Sequence, residues 1–115
     1  MGSYATAEGR DTTSSGIYSH AEGNQSKATA QSAHAEGHVS TASGDYSHAE
    51  GYNGVASGIG THAEGYKSKA SGNYGSHAEG RETKATGAGA HSEGYLTTAS
   101  NPYSHVEGQY SQARG

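Results

Sequence analysis

Small apolar and polar residues recur along this chain in units of fourteen. Glutamate marks each unit, at Glu8, Glu22, Glu36, Glu50, Glu64, Glu79, Glu93 and Glu107, with a single interval of fifteen. Glycine follows every one of them, and Ser-His-Ala-Glu-Gly is complete at 19–23, 47–51 and 76–80. With Glu as position 0, alanine occupies +6 in seven units, Ser or Thr occupies +4 and +7 in seven units each, and +8 is usually glycine. A strict short period predicts eight stacked copies of one small unit, in place of a globule with a unique site.

Period-two alternation assigns the faces. His at −2 and Glu at 0 share one face of a first strand, with the −3 and −1 positions (Ser and Ala) on the other. On a second strand +4 and +6 (Ser/Thr and Ala) lie opposite +5 and +7. The two alanine columns meet only if both strands turn their small residues inward. The predicted fold is therefore an all-β, flat parallel solenoid of eight coils with a narrow Ala/Ser core. The His/Glu columns lie outside one sheet, and the +5 and +7 columns face water on the other. The two glycine columns are expected to end the strands, where positive φ or close backbone approach suits glycine. At about 4.8 Å per coil, eight coils make a rod roughly 40 Å long.

Other readings fail on the same residues. Glycine every seven residues and no i, i+3, i+4 apolar stripe oppose a helix. Collagen needs glycine at every third position, and there are 19 Gly and one Pro in the chain. Calcium-binding β-roll repeats need an aspartate per turn, and only Asp11 and Asp45 are present.

Composition sharpens the picture. Phe, Trp and Cys are absent, so thiolate metal sites and disulfides are excluded. Large aliphatics are so scarce that an isolated chain should be marginal, and an oligomer is expected. The formal charge is −4, and the seven Lys and Arg stand singly. That gives no basic patch for nucleic acid and no amphipathic basic stretch for a membrane. Residues 1–115 read as one repeat domain, in keeping with a segment of a longer fibre.

Three irregularities stand out. Gly75 is an extra residue between Tyr74 and Ser76, where a bulge is expected. At +8, Ala30 and the pair Asn101-Pro102 replace glycine. Thr6 stands where the other units have His, which suggests a frayed or capping end coil.

The unit Ser-His-Ala-Glu-Gly-x-x-Ser-x-Ala-Ser-Gly resembles the fourteen-residue head repeat of trimeric autotransporter adhesins, the YadA-like head, across Tyr4 to Gly115. That family's strand reads Ser-Val-Ala-Ile-Gly. The resemblance implies a left-handed parallel β-roll, with three chains side by side around a threefold axis. It maps the family's inner apolar pair onto His20/Glu22, His34/Glu36, His48/Glu50, His62/Glu64, His77/Glu79, His91/Glu93 and His105/Glu107, so that an oily trimer core becomes polar. Similar His-Glu variants look like those of phage tail or appendage fibres and Gram-positive surface proteins.

The resulting expectation is a structural or adhesive segment of an extracellular, cell-surface fibre whose partner is its own chain as a homotrimer. End-to-end stacking is open to it, and the receptor is not readable. A virion tail fibre is the alternative origin. In this reading each His bonds a Glu of a neighbouring chain. A metal-binding module of axial His layers is the reading from a different class, although seven equivalent sites are an odd way to hold one ion. No cofactor and no enzymatic role are expected, because nothing singles out one coil as an active site. Tyr4, Tyr18, Tyr46, Tyr74, Tyr103, Tyr52, Tyr66 and Tyr95 are expected to cover corners and seams between protomers, or to offer an aromatic strip to a ligand. The +5 column is too interrupted for an ice-binding plane. The sign of any pH response stays open: charged, paired histidines and buried, neutral ones give opposite slopes.

Overall fold

A computed structural model describes residues 2–113. The chain is an all-β parallel solenoid of eight coils, with no helix among the described residues. Each coil contributes one strand to each of two eight-stranded sheets. The first sheet holds the −2 strands in chain order: β1 (Thr6–Arg10), β3 (His20–Asn24), β5 (His34–His38), β7 (His48–Ala49), β9 (His62–Tyr66), β11 (His77–Arg81), β13 (His91–Tyr95) and β15 (His105–Val106). The second holds the short +5 strands: β2 (Thr13–Ser14), β4 (Lys27–Ala28), β6 (Thr41–Ala42), β8 (Val55–Ala56), β10 (Lys69–Ala70), β12 (Lys84–Ala85), β14 (Thr98–Ala99) and β16 (Gln112–Ala113). The extents are 41 × 22 × 10 Å, a thin slab of the expected length.

Register follows the repeat, so like residues stack on like. His20 pairs with His34, Ala21 with Ala35 and Glu22 with Glu36. Backbone amides carry the stack forward: His20 N–H donates to Ala33 O at 2.9 Å and His34 N–H to Ser47 O at 2.9 Å.

The core is the pair of alanine columns, as the alternation predicts. Ala21, Ala35, Ala49, Ala63 and Ala78 face Ala28, Ala42, Ala56, Ala70 and Ala85 with no exposed surface. The two sheets can approach closely only because the side chains between them are single methyls. Ser and Thr flank these columns and are buried too, and they satisfy themselves on nearby carbonyls. Ser47 Oγ donates to Gly44 O at 2.6 Å and Ser76 Oγ to Gly72 O at 2.6 Å, while Ser40 Oγ donates across coils to Gly51 O at 3.1 Å.

The corners depart from expectation. The +1 glycines do have positive φ, but in most coils they lie inside the five-residue strand and do not end it. Among the described residues the +8 glycines keep ordinary φ and serve close approach. A Cβ on Gly16 would sit 1.9 Å from Ala30 O. The left-handed corners fall at +3 and −4, mostly on residues that are not glycine, among them Val39, Lys67, Glu82, Tyr18 and Tyr46. One corner is a four-residue turn, closed where Ser19 N–H donates to Gly16 O at 3.2 Å. The corner amide itself points back: Tyr18 N–H donates to Ser3 O at 3.0 Å and Val39 N–H to Asn24 O at 2.9 Å.

Gly75 forms the expected bulge. Tyr74 and Gly75 both have positive φ, and their N–H groups share the Ile59 carbonyl at 3.0 and 3.4 Å. The first coil is not frayed, because Thr6–Arg10 pairs along its whole length with His20–Asn24. Backbone pairing does not require the missing imidazole.

Candidate functional site

The −2 and 0 columns bring all the predicted histidines and glutamates onto one face of the first sheet. Two residues apart on one strand, a His and a Glu point the same way, and parallel pairing sets the next pair directly above. Each imidazole therefore reaches two carboxylates. His62 Nε2 lies 3.3 Å from Glu50 of the preceding coil and 3.5 Å from Glu64 of its own. His77 Nε2 lies 3.5 Å from Glu64 and 3.7 Å from Glu79. The zigzag starts at Glu8, whose own coil has Thr6, and ends at Glu107, 4.0 Å from His105. Sequence reasoning expected partners from a neighbouring chain, whereas the ladder already supplies them within one.

The rings stack as a column, with centroids 4.6–4.8 Å apart and planes nearly parallel. In the middle coils about one third of each His and Glu side chain is exposed. The ring tips are more sheltered than that. Nε2 of His34, His48 and His77 is shielded from solvent and makes no hydrogen bond.

Protonation follows from this crowding. Burial, then the neighbouring His48, pulls His34 and His62 below the ordinary imidazole range. The structure thus favours neutral rings at these two positions. Neighbouring carboxylates at the start of the Glu column also act on one another. Hydrogen bonds with Glu36 and Glu8 hold Glu22 above its usual range. Those from Glu50 and Glu22 lower Glu36 to about 2. The two shifts run in opposite directions because neighbouring like charges resist ionising together.

Beside the ladder runs a shallow open groove, lined by the Glu column and the +1 glycines from Glu8 to Gly108. Bare glycine backbone along one flank makes this face flat. Three donor atoms also cluster at successive steps, as in His34, Glu36 and His48, all within 4.8 Å.

The tyrosines form two separate rows. At the −4 corner Tyr18, Tyr46, Tyr74 and Tyr103 stand well exposed, and Tyr4 stacks on Tyr18 at 5.4 Å. At +2, Tyr52 stacks on Tyr66 at 5.0 Å, and the Arg81 guanidinium lies 5.6 Å from Tyr66 and 5.2 Å from Tyr95. Sequence reasoning missed Arg81 as part of this row. Its position at +2 was the available signal.

Fold and face together define a parallel β-solenoid that carries a continuous His–Glu ladder. No family model matches the chain, and no curated protein matches it.

Proposed function

We propose that the chain is a structural segment of a trimeric extracellular fibre, built as a left-handed roll of the YadA-like head kind. Three copies would pack with their His/Glu faces toward a common axis and present the opposite sheet and the tyrosine corners outward for attachment. The observation that carries this reading is the flat, glycine-flanked ladder face itself. It is long and unbroken, and about one third of each His and Glu side chain in its middle coils is left uncovered. The exposed part of such a polar row gains partners when a neighbouring copy brings a complementary one. A core made almost wholly of alanine supports the same reading, because a single slab has little apolar area to offset chain entropy.

The test is the solution mass of the intact chain by sedimentation. A particle of three times 11.6 kDa supports the assembly. A monomer at high concentration overturns it and leaves a free-standing solenoid.

A further inference from the structure

We infer that the ladder is a row of divalent transition-metal sites, each made by two successive histidines and the glutamate between them within one chain. The step His34–Glu36–His48 shows why. One ring nitrogen from each His and one carboxylate oxygen of the Glu lie within 4.8 Å of one another. The individual N···O separations are 3.7 Å from His34 Nε2 to Glu36 Oε2 and 3.5 Å from His48 Nε2 to Glu36 Oε1, so the carboxylate reaches one ring with each oxygen. Neither makes a hydrogen bond, and both nitrogens are sheltered and unpartnered. Zinc bonds of about 2.0–2.1 Å in tetrahedral geometry put neighbouring donor atoms roughly 3.3 Å apart. The N···O gaps are thus a little wide for a proton and close to those around an ion, while the two rings, nearly parallel with centroids 4.6 Å apart, must bring their nitrogens closer to share one.

Chemistry selects the ion. Two imidazoles and one carboxylate suit zinc, nickel, cobalt or copper, whereas magnesium and calcium prefer an all-oxygen set. A fourth position is left for water. The stacked rings must tilt their Nε2 tips toward each other, and their partial exposure gives them room to do so. An ion at a step also relieves the repulsion between carboxylates of adjoining coils.

Stoichiometry follows from sharing. Each Nε2 has one lone pair, so neighbouring steps that share a histidine cannot both fill. The qualifying steps run through the five histidines from His20 to His77, which hold two ions, and through His91–Glu93–His105, which holds one more, giving three per chain. All donors come from one chain, so the inference stands apart from the trimer.

The experiment is a zinc titration of the full chain, expressed without a polyhistidine tag and stripped with EDTA, in a magnesium background. Three zinc ions per chain are expected at saturation. His91→Gln should lower the ratio to two, and the double variant His34→Gln/His62→Gln should lower it to one, because it interrupts every step from His20 to His77. A wild-type ratio below two, or a ratio unmoved by both variants, overturns the inference. Cobalt on the wild-type chain gives a readout independent of the variants: intense visible bands of low-coordinate cobalt are expected, and only the weak spectrum of the aqueous ion would also overturn it. Sedimentation in EDTA separates the two readings. A trimer that takes up no zinc loses this inference alone, and a monomer that binds three loses only the assembly.

Discussion

His62 and Glu50 meet across the boundary between two coils, with Nε2 3.3 Å from Oε1, although twelve residues separate them in sequence. The contact is short because parallel, in-register pairing stacks each coil on its copy, so an outward-facing pair on one strand becomes a zigzag along the whole sheet. Each ring is bracketed by the carboxylates of the preceding coil and of its own. The ladder is therefore one continuous system of His–Glu contacts.

That system should weaken in mild acid when metal is absent. His34 and His62 have folded pKa values below the unfolded 6.5, mainly through burial. The unfolded chain then binds more protons, so their contribution is complete above about pH 6.5 and is lost as pH falls through the folded values. Glu36, lowered to about 2, adds a second loss below 4.5, and Glu22, raised, opposes it there. Thermal melts in EDTA from about pH 8 to pH 5 should show a falling Tm. A Tm that rises toward pH 5 would mean that the rings are charged and paired in the folded state.

The alanine columns set a hard limit on side-chain size. Ala63 has no exposed surface and sits in mid-stack. Leucine there must push the sheets apart over several coils, which costs about 1–3 kcal/mol or more. Denaturant unfolding of Ala63→Leu should show a clearly lower midpoint, and an unchanged one would contradict a closely packed interior. Val106, in the same column but 6% exposed, carries its larger side chain in the outermost strand of the first sheet.

Much of this architecture is legible in the sequence because it is written in columns. Ala21 and Ala28 identify the core by alternation, Glu8 to Glu107 count the coils, and Gly75 announces its bulge by breaking the period. The left-handed corners are not legible. Asp11, Gln25, Val39, Asn53, Lys67, Glu82, Leu96 and Tyr110 share a backbone conformation and no side-chain property. Stacking fixes φ there through hydrogen bonds such as Gln25 N–H to Arg10 O at 2.8 Å, so local preference is overridden. The intrachain bracketing of each His was hidden for a related reason: it depends on the lean of long side chains toward the preceding coil, and spacing along the chain is silent on that.

Two glycines with positive φ should respond very differently to alanine. At Gly65 a Cβ would lie 2.1 Å from Gly80 O, inside the sheet. At Gly75 nothing lies within 4 Å. Gly75→Ala should cost only the left-handed penalty of roughly 1–2 kcal/mol. Gly65→Ala adds a backbone clash that the next coil cannot avoid, and it should unfold the middle of the stack. Comparison of the two by circular dichroism and denaturant midpoint checks this, and equal losses would count against the close approach of coils.

Val39 carries the least suitable side chain of any corner, β-branched with φ near 59°. Asparagine accepts this conformation more readily, and Asn53 already occupies the equivalent corner one coil closer to the middle, with φ near 56°. The corner amide that donates to Asn24 O is backbone and survives the change. Val39 is also outside the alanine core, so little packing is lost. Val39→Asn should therefore stabilise the chain by about 0.5–1 kcal/mol, and Asn53→Val should destabilise it by a similar amount. Opposite shifts of the unfolding midpoint in the two variants are the expected result. A loss in both would mean that the valine side chain contributes more by contact than its backbone conformation costs.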